Sequence, residues 1–441
     1  MITSRIREGC SVGFFGLGKS NIALLGCLPL QKCKITIRSD SFIDPTRIPS
    51  CIPAPRLMYG KNACLEIDED IIFFSPSVRR DRAELIKAKK RGVIFSSDAE
   101  IFFEENKKPV YAVTGSDGKS TTATLIHLLL NAEGKKSRLI GNVGEAMTTH
   151  IGDADLFVTE LSSFMLEYLS PRVYSACITN ITPNHLDWHG SYENYRKTKF
   201  SVAKTAERVV VSDDIGDILR PYGIISDRLK YKELISSRRA KIYVTKEDGY
   251  ILRNGEKLIG LSEIRCREEH NIKNLMMAIA MTDGEVEKAA IMQVAASFDG
   301  LKHRSERFFS IDGVDYIDSS IDSTPARTNQ TLKSIGRPVV IILGGRGKGL
   351  DYSQLIPSLK KYVRAAIIVG ENREELSGAI AGNVESHIAS DFESGVRLGI
   401  ALAKKVGILL LSPASTSYDQ FENYAERGDK FKEIVLKYTT K

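Results

Sequence analysis

The sequence predicts an α/β protein of three domains with mainly parallel sheets, and three observations carry that prediction. At 441 residues the chain is too long for one ordinary core. Short apolar runs of strand character recur along its whole length and alternate with helical stretches, the pattern of doubly wound sheets. Two breaks divide them, the charged Glu105-Asn106-Lys107-Lys108-Pro109 and the turn-like Phe298-Asp299-Gly300-Leu301. The expected domains are 1–106, 107–299 and 300–441.

In the first domain a strand at Ser11–Phe15 enters a glycine turn and an apolar helix around Asn21–Leu28. Further strands are expected at Lys34–Arg38, Ile71–Ser75 and Gly92–Phe95, and Lys87 to Arg91 reads as the solvated end of a helix. The second domain opens with strand Val110–Thr114, a loop and a helix from about Ser120 to Ala132. Strands of buried type follow at Leu156–Glu160, Tyr174–Asn180 and Arg208–Ser212. The third carries strands at Val314–Asp318, Pro338–Leu343, Ala365–Gly370 and Gly407–Leu411.

Composition narrows the function classes. The chain is 42% apolar and 27% charged, as soluble globular proteins are, with a modest net charge of +7. That charge favours anionic substrates such as nucleotides, but no Lys/Arg block reads as a nucleic-acid tail. The N-terminal apolar stretch is broken by Gly16, Gly18, Lys19 and Asn21, so neither a signal peptide nor membrane insertion is expected. Cysteines at 10, 27, 33, 51, 64, 177 and 266 form no CxxC pair and are odd in number. Reduced thiols of a cytoplasmic protein account for them better than a disulfide framework or zinc site. A monomer is expected.

The sharpest local signal is Thr114-Gly115-Ser116-Asp117-Gly118-Lys119-Ser120-Thr121, between an apolar strand and a helix. Glycines there let backbone N–H groups turn inward, the helix start adds partial positive charge, Lys119 can reach terminal phosphates, and Ser120 can hold Mg²⁺. Val113 stands where a standard phosphate loop has its first glycine. The earlier Gly13–Gly18 lacks a third glycine, because Asn21 occupies that place. It fits a dinucleotide site, a turn without ligand, or a turn for the diphosphate of a nucleotide-linked substrate, and the residues leave all three open. Glu160 closes one strand and His185 follows another, so both can face the crevice at the strands' carboxyl ends. Hard oxygens and an imidazole there suit Mg²⁺ bridging ATP phosphates.

Across all three domains the chain resembles the Mur ligase family. The segments are TGSDGKST (114–121), GNVG (141–144), ELSSF (160–164), NITPNHLDWH (180–189), YRKTK (195–199), HNIKN (270–274), GLKHRSE (300–306), GGRGKGLDY (344–352) and SPASTSYDQFENYAERG (412–428). The last is most similar to members that add D-glutamate, and no Asp-Asn-Pro motif of the diaminopimelate or lysine adders is found in this domain. The resemblance implies a Rossmann-like N-terminal domain for the UDP-substrate, a central ATPase domain of phosphate-loop type, and a Rossmann-like C-terminal domain for the amino acid. It implies ATP-dependent joining of D-glutamate to UDP-N-acetylmuramoyl-L-alanine through an acyl-phosphate, in cell-wall precursor synthesis.

The same resemblance implies residue roles. ATP would be held by Gly115, Ser116, Asp117, Gly118, Lys119, Ser120 and Thr121, by Asn271 and Asn274, and by Arg304 and Asp318. Two Mg²⁺ ions, replaceable by Mn²⁺, would take Ser120, Glu160, His185 and Lys199, with Lys199 carbamylated; by spacing alone Lys199 reads as a surface lysine. Lys119, His185, Lys199 and Arg304 would be catalytic. The UDP-substrate would meet Gly16, Gly18, Lys19, Arg38, Ser39, Ser75, Asn142, Ser162 and His185. D-Glutamate would meet Ser323, Lys348, Ser417, Tyr418 and Tyr424, although packing at a helix start also suits the two tyrosines.

Departures from the family pattern are Asp117, Met165, Asn184, Glu268 and Ser319, and Arg38-Ser39-Asp40 reverses the usual charge order. They leave room for another Mur-type or folylpolyglutamate-type ligase, or for a degenerate nucleotide-binding homologue. A nicotinamide dehydrogenase would rest on Gly13–Gly18 alone.

Overall fold

Uncharged runs of valine, isoleucine and phenylalanine are stable only when buried on both faces, which is the setting of a parallel strand. The structure, a computed structural model, describes residues 3–212, 215, 231–234, 244–347 and 350–440. They divide into two compact units, Met1–Phe298 and Asp299–Lys441, the first of which holds the sheets of both the 1–106 and 107–299 segments.

In the first layer, strands β1 (Ser11–Phe15), β2 (Lys34–Ser39), β3 (Arg56–Tyr59), β4 (Ile71–Phe74) and β5 (Ile94–Ser96) form a parallel sheet in the order β3-β2-β1-β4-β5. Phe14 pairs with Phe73 across β1 and β4, their rings 5.4 Å apart. The second layer contains β6 (Val110–Thr114), β7 (Ser137–Gly141), β8 (Leu156–Glu160), β9 (Val173–Ile178), β10 (Ala206–Val211) and β11 (Tyr231–Leu234). Its order is β11-β10-β9-β6-β8-β7, parallel throughout. The chain runs from β6 to β7 and β8 on one side and then crosses to β9 and β10 on the other, so a crevice opens beyond the carboxyl end of β6, where the glycine-rich loop begins. The helix Lys119–Ala132 closes that loop and buries Leu125, Ile126, Leu129 and Leu130, each contributing roughly 1.5–3 kcal/mol. An antiparallel meander of β12 (Val244–Glu247), β13 (Tyr250–Arg253) and β14 (Glu256–Gly260) completes the unit.

The second unit has β15 (Glu306–Ile311), β16 (Val314–Asp318), β17 (Val339–Gly344), β18 (Val363–Val369), β19 (Ser386–Ile388) and β20 (Ile408–Leu411), ordered β15-β16-β20-β17-β18-β19. Only β15 runs antiparallel. Every strand expected from the sequence is present within a residue or two, whereas β3, β7, β11, β12, β13, β14, β15 and β19 were missed. All but β13 are sheet edges, which do not need an apolar run on both faces. No helix among the described residues is long and apolar enough to cross a membrane.

Arg38, expected at the uridine, is instead interior. Its side chain is 0% exposed, with Nε 2.8 Å from Glu69 Oε1, Nη1 donating to Ala63 O and Leu65 O, and Nη2 to Glu66 O. It fastens the segment between β3 and β4 to β2. Removing one partner of a buried ion pair leaves the other charge uncompensated and costs roughly 3–5 kcal/mol. Arg38→Ala should therefore lower stability by that order in urea unfolding; an unchanged midpoint with a raised KM for the UDP-substrate would instead mark a ligand contact.

Candidate active site

The loop after β6 can be built only with glycine at two places. Gly115 has φ +141°, and a Cβ there would lie 2.0 Å from Thr179 Oγ1. Gly118 has φ +76°, with a Cβ 2.4 Å from Asn274 Oδ1. Asn180 fixes the loop from the end of β9: its carbonyl accepts from Ser116 N and its Oδ1 from Asp117 N, both at 2.9 Å. Lys119 Nζ crosses the loop to Ser116 O at 2.6 Å, and Ser120 and Thr121 are buried at the helix start. Asp117 projects outward as an exposed side chain, so its carboxylate does not fill the cradle. The helix's first N–H groups have no carbonyl one turn earlier to bond, which suits a phosphate.

Beside it, Glu160 ends β8 and is 1% exposed. Its Oε2 accepts from Ser120 Oγ at 2.6 Å and its Oε1 from Asn142 Nδ2 at 2.7 Å. Lys199, on the helix Tyr192–Thr205, is 2% exposed and donates to Thr114 Oγ1 at 3.2 Å. Desolvation by burial, reinforced by the Lys119 charge, holds its pKa well below the usual lysine range. Tyr195 on the same helix shares a 2.8 Å hydrogen bond with Ser116 Oγ, and burial pushes its hydroxyl up to about 12. His185 takes φ +51° with its ring 4.8 Å from Phe164. Burial and the Lys199 charge lower its pKa, favouring the neutral imidazole that binds metals. A hydroxyl and a carboxylate 2.6 Å apart at the end of a strand are hard oxygen ligands that fit Mg²⁺.

The first-layer turn is equally constrained. Gly16 has φ +85°, and a Cβ there would lie 2.8 Å from Ser75 Oγ, which itself donates to Gly16 O. Asn21, read in the sequence as a missing glycine, donates through Nδ2 to Phe15 O, Gly16 O and Phe73 O and locks the turn. Gly18 precedes the helix Lys19–Cys27, and Lys19 Nζ reaches Gly141 O and Gly144 O. Ser39 lies 3.4 Å from Ser41 Oγ, and Asp40 is paired with both Nη atoms of Arg82. Ser162 Oγ caps the short helix Ser163–Leu166.

On the helix Glu269–Met281, Asn274 packs at the phosphate loop and accepts from Thr122 Oγ1. Asn271 Nδ2 is held by Cys266 Sγ at 2.9 Å and Glu268 Oε2 at 3.2 Å, so Glu268 orients the amide expected to meet the base. In the second unit Asp318 is fully buried, 2.7 Å from His303 Nδ1, and its Oδ1 accepts from Ser320 N. Lys432 stands 2.6 Å from Glu306 and 3.5 Å from Asp318, already a cation for that acidic cluster. Arg304 lies half-buried in a turn where His303 and Ser305 take φ +62° and +49°. Ser323 is half-buried before the helix Pro325–Ile335, and Ser417 is buried. Tyr418 and Tyr424 are 58% and 43% exposed, which removes core packing as their explanation. Lys348 lies outside the described residues.

Arg427 was missed by the sequence reading. It is 2% exposed, and Nε and Nη2 donate to Ser320 while Nη1 donates to Ser415 O. Burial lowers its pKa to about 10. An arginine inside Ala-Glu-Arg-Gly at the start of an amphipathic helix gives no sign in sequence of which face it occupies.

A sequence model of the Mur ligase middle domain matches residues 113–282. Together with relatives more than 30% identical over most of both chains, it shows that the chain belongs to the Mur ligase family. Those relatives carry one name, UDP-N-acetylmuramoylalanine–D-glutamate ligase. That of Acetivibrio thermocellus is 35% identical, covering 83% of this chain and 82% of its own, and that of Clostridium perfringens is 32% identical, covering 97% of each. The solved UDP-N-acetylmuramate-alanine ligase of Thermotoga maritima shares the fold, with TM-score 0.61 over 97% of this chain and 99% of its own at 16% identity.

Gly115→Ala puts a methyl group into the Thr179 hydroxyl at a dihedral that alanine avoids. It should weaken binding of a non-hydrolysable ATP analogue at least about tenfold by calorimetry, because misplaced phosphate donors act only in the bound state. Unchanged affinity would show that the loop does not cradle phosphate.

Proposed function

We propose that this chain is an ATP-dependent acid–amino-acid ligase that joins D-glutamate to UDP-N-acetylmuramoyl-L-alanine in the cytoplasm, during peptidoglycan precursor synthesis. The observation that carries the reading is the convergence of Lys119, Ser120, Glu160 and Lys199 at the carboxyl edge of one parallel sheet, in a chain that matches D-glutamate ligases over most of its length. The alanyl carboxylate cannot condense directly with an amine, because its leaving group would be hydroxide or oxide. Phosphoryl transfer from ATP turns it into an acyl-phosphate, and the D-glutamate amine then attacks the carbonyl carbon and expels phosphate.

Each residue has a role in that sequence. The N–H groups from Gly118 to Thr121 receive the phosphates, and Lys119 swings from Ser116 O to the terminal one. Ser120, Glu160 and His185 would hold Mg²⁺, or Mn²⁺ in its stead, and the ion when bound would neutralise charge on the phosphates. Asn271, Asn274, Arg304 and Asp318 serve the nucleotide. Gly16, Gly18, Lys19, Ser39, Ser75, Asn142 and Ser162 serve the UDP-substrate. Ser323, Lys348, Ser417, Tyr418 and Tyr424 serve D-glutamate, and the enzyme acts as a monomer. Lys199 carries a carbamate as an oxygen ligand for a second Mg²⁺. Its support is geometric: an interior amine whose hydrogen-bond partner is a hydroxyl, with no carboxylate in ion-pair distance among the described residues. A neutral amine is the form that reacts with CO₂.

Phosphate release by the purified protein should require both UDP-N-acetylmuramoyl-L-alanine and D-glutamate, with L-glutamate far poorer. Equal turnover with lysine or diaminopimelate would assign another acceptor. Lys199→Ala should be inactive and partly restored by formate or acetate, which supply the missing oxygen. A bare lysine in crystals grown with bicarbonate, without such rescue, would exclude the carbamate.

A further inference from the structure

Lys19 joins the two halves of the first unit at a position that matters to both. It is the first residue of the helix after the β1 glycine turn, where the diphosphate of the UDP-substrate is proposed to lie. Its ammonium leaves that layer and donates to Gly141 O at 2.7 Å and Gly144 O at 2.8 Å. These carbonyls belong to the turn after β7, which has little freedom. Gly141 and Gly144 take φ +100° and +75°, and a Cβ on Gly144 would lie 2.1 Å from Leu139 O.

Asn142 sits between the two carbonyls. Its N donates to Glu160 O at 3.0 Å and its Nδ2 to Glu160 Oε1 at 2.7 Å, while Glu160 Oε2 accepts from Ser120 Oγ. An unbroken chain of short contacts therefore runs from the first-layer glycine turn to the serine and carboxylate of the metal site. An ammonium has three donors, and two of those of Lys19 are committed among the described residues.

We propose that Lys19 is a positioning residue that couples the UDP-substrate site to the magnesium–nucleotide site. A diphosphate on the glycine turn accepts its third N–H and holds the ammonium against Gly141 and Gly144. The turn is thereby fixed, and with it Asn142 and the Glu160 carboxylate. The coupling rests on the functional reading above and must be reciprocal: each ligand tightens the other by the same factor.

The test is calorimetric titration of a non-hydrolysable ATP analogue with Mg²⁺, with and without saturating UDP-N-acetylmuramoyl-L-alanine, omitting D-glutamate so that no turnover occurs. For wild type, the UDP-substrate should tighten analogue binding about tenfold, within the usual range of coupling between sites. In Lys19→Met the ratio should fall to near one, and Lys19→Arg should keep part of it, since a guanidinium can reach the same carbonyls. The fold should survive the change, because Asp98 independently ties the layers through Met147 N, Thr148 N and Thr148 Oγ1, and thermal melts check this. A wild type that binds both ligands without coupling overturns the proposal, as does a Lys19→Met that keeps the full ratio. A Lys19→Met that takes up no UDP-substrate at all assigns the lysine to the diphosphate alone and also overturns it. A wild type that binds neither ligand removes the functional reading itself.

Discussion

The carboxylate of Glu160 accepts a hydrogen bond on each oxygen, from Ser120 Oγ and from Asn142 Nδ2, at the end of a strand that is buried along its whole length. A carboxylate taken out of water must be bonded or neutralised. The two donors come from opposite directions. Ser120 arrives on the helix that the phosphate loop starts, and Asn142 on the glycine turn that Lys19 holds. The position of one side chain therefore requires β8 beside β6, a glycine loop after β6, and a first layer close enough to reach the second. Moving any of these would leave the carboxylate interior and unsatisfied.

Around that carboxylate the site concentrates lysines, and their treatment differs. Lys119 lies over the loop with its ammonium on the Ser116 carbonyl. Lys199 is packed under the loop among Thr114, Tyr195 and the strand ends, where burial and the neighbouring cation both oppose its charge. Lys119 has a carbonyl acceptor, whereas burial drives Lys199 toward neutrality. The second unit applies similar logic to Arg427, which lacks a carboxylate partner within bonding distance among the described residues and uses backbone and hydroxyl oxygens to join the loops at Ser320 and Ser415. Asp322 nearby is raised by burial despite three hydroxyl donors.

The amino-acid sequence by itself determined the buried strands, the glycine-rich loop after β6 and the family. Runs such as Ile71–Phe74 and Val339–Gly344 have a single stable environment, and a loop that needs φ beyond the reach of a Cβ has a single residue. Those constraints are local, so they are written locally. Edge strands β3, β7, β11, β12, β14, β15 and β19 were not legible, because one side of an edge has no neighbour to impose a composition, and neither was β13 between two of them. The side-chain partnerships were not legible either. Arg38 reads as a substrate contact until Glu69 and three carbonyls enclose it, and Asn21 reads as a failed glycine until its amide bridges Phe15, Gly16 and Phe73. Lys199 reads as a surface lysine until its helix turns it under the phosphate loop. What the tertiary structure alone decided is which polar group meets which, because a hydrogen bond depends on distance in space, and residues 19 and 141 or 120 and 160 become neighbours only when the layers pack.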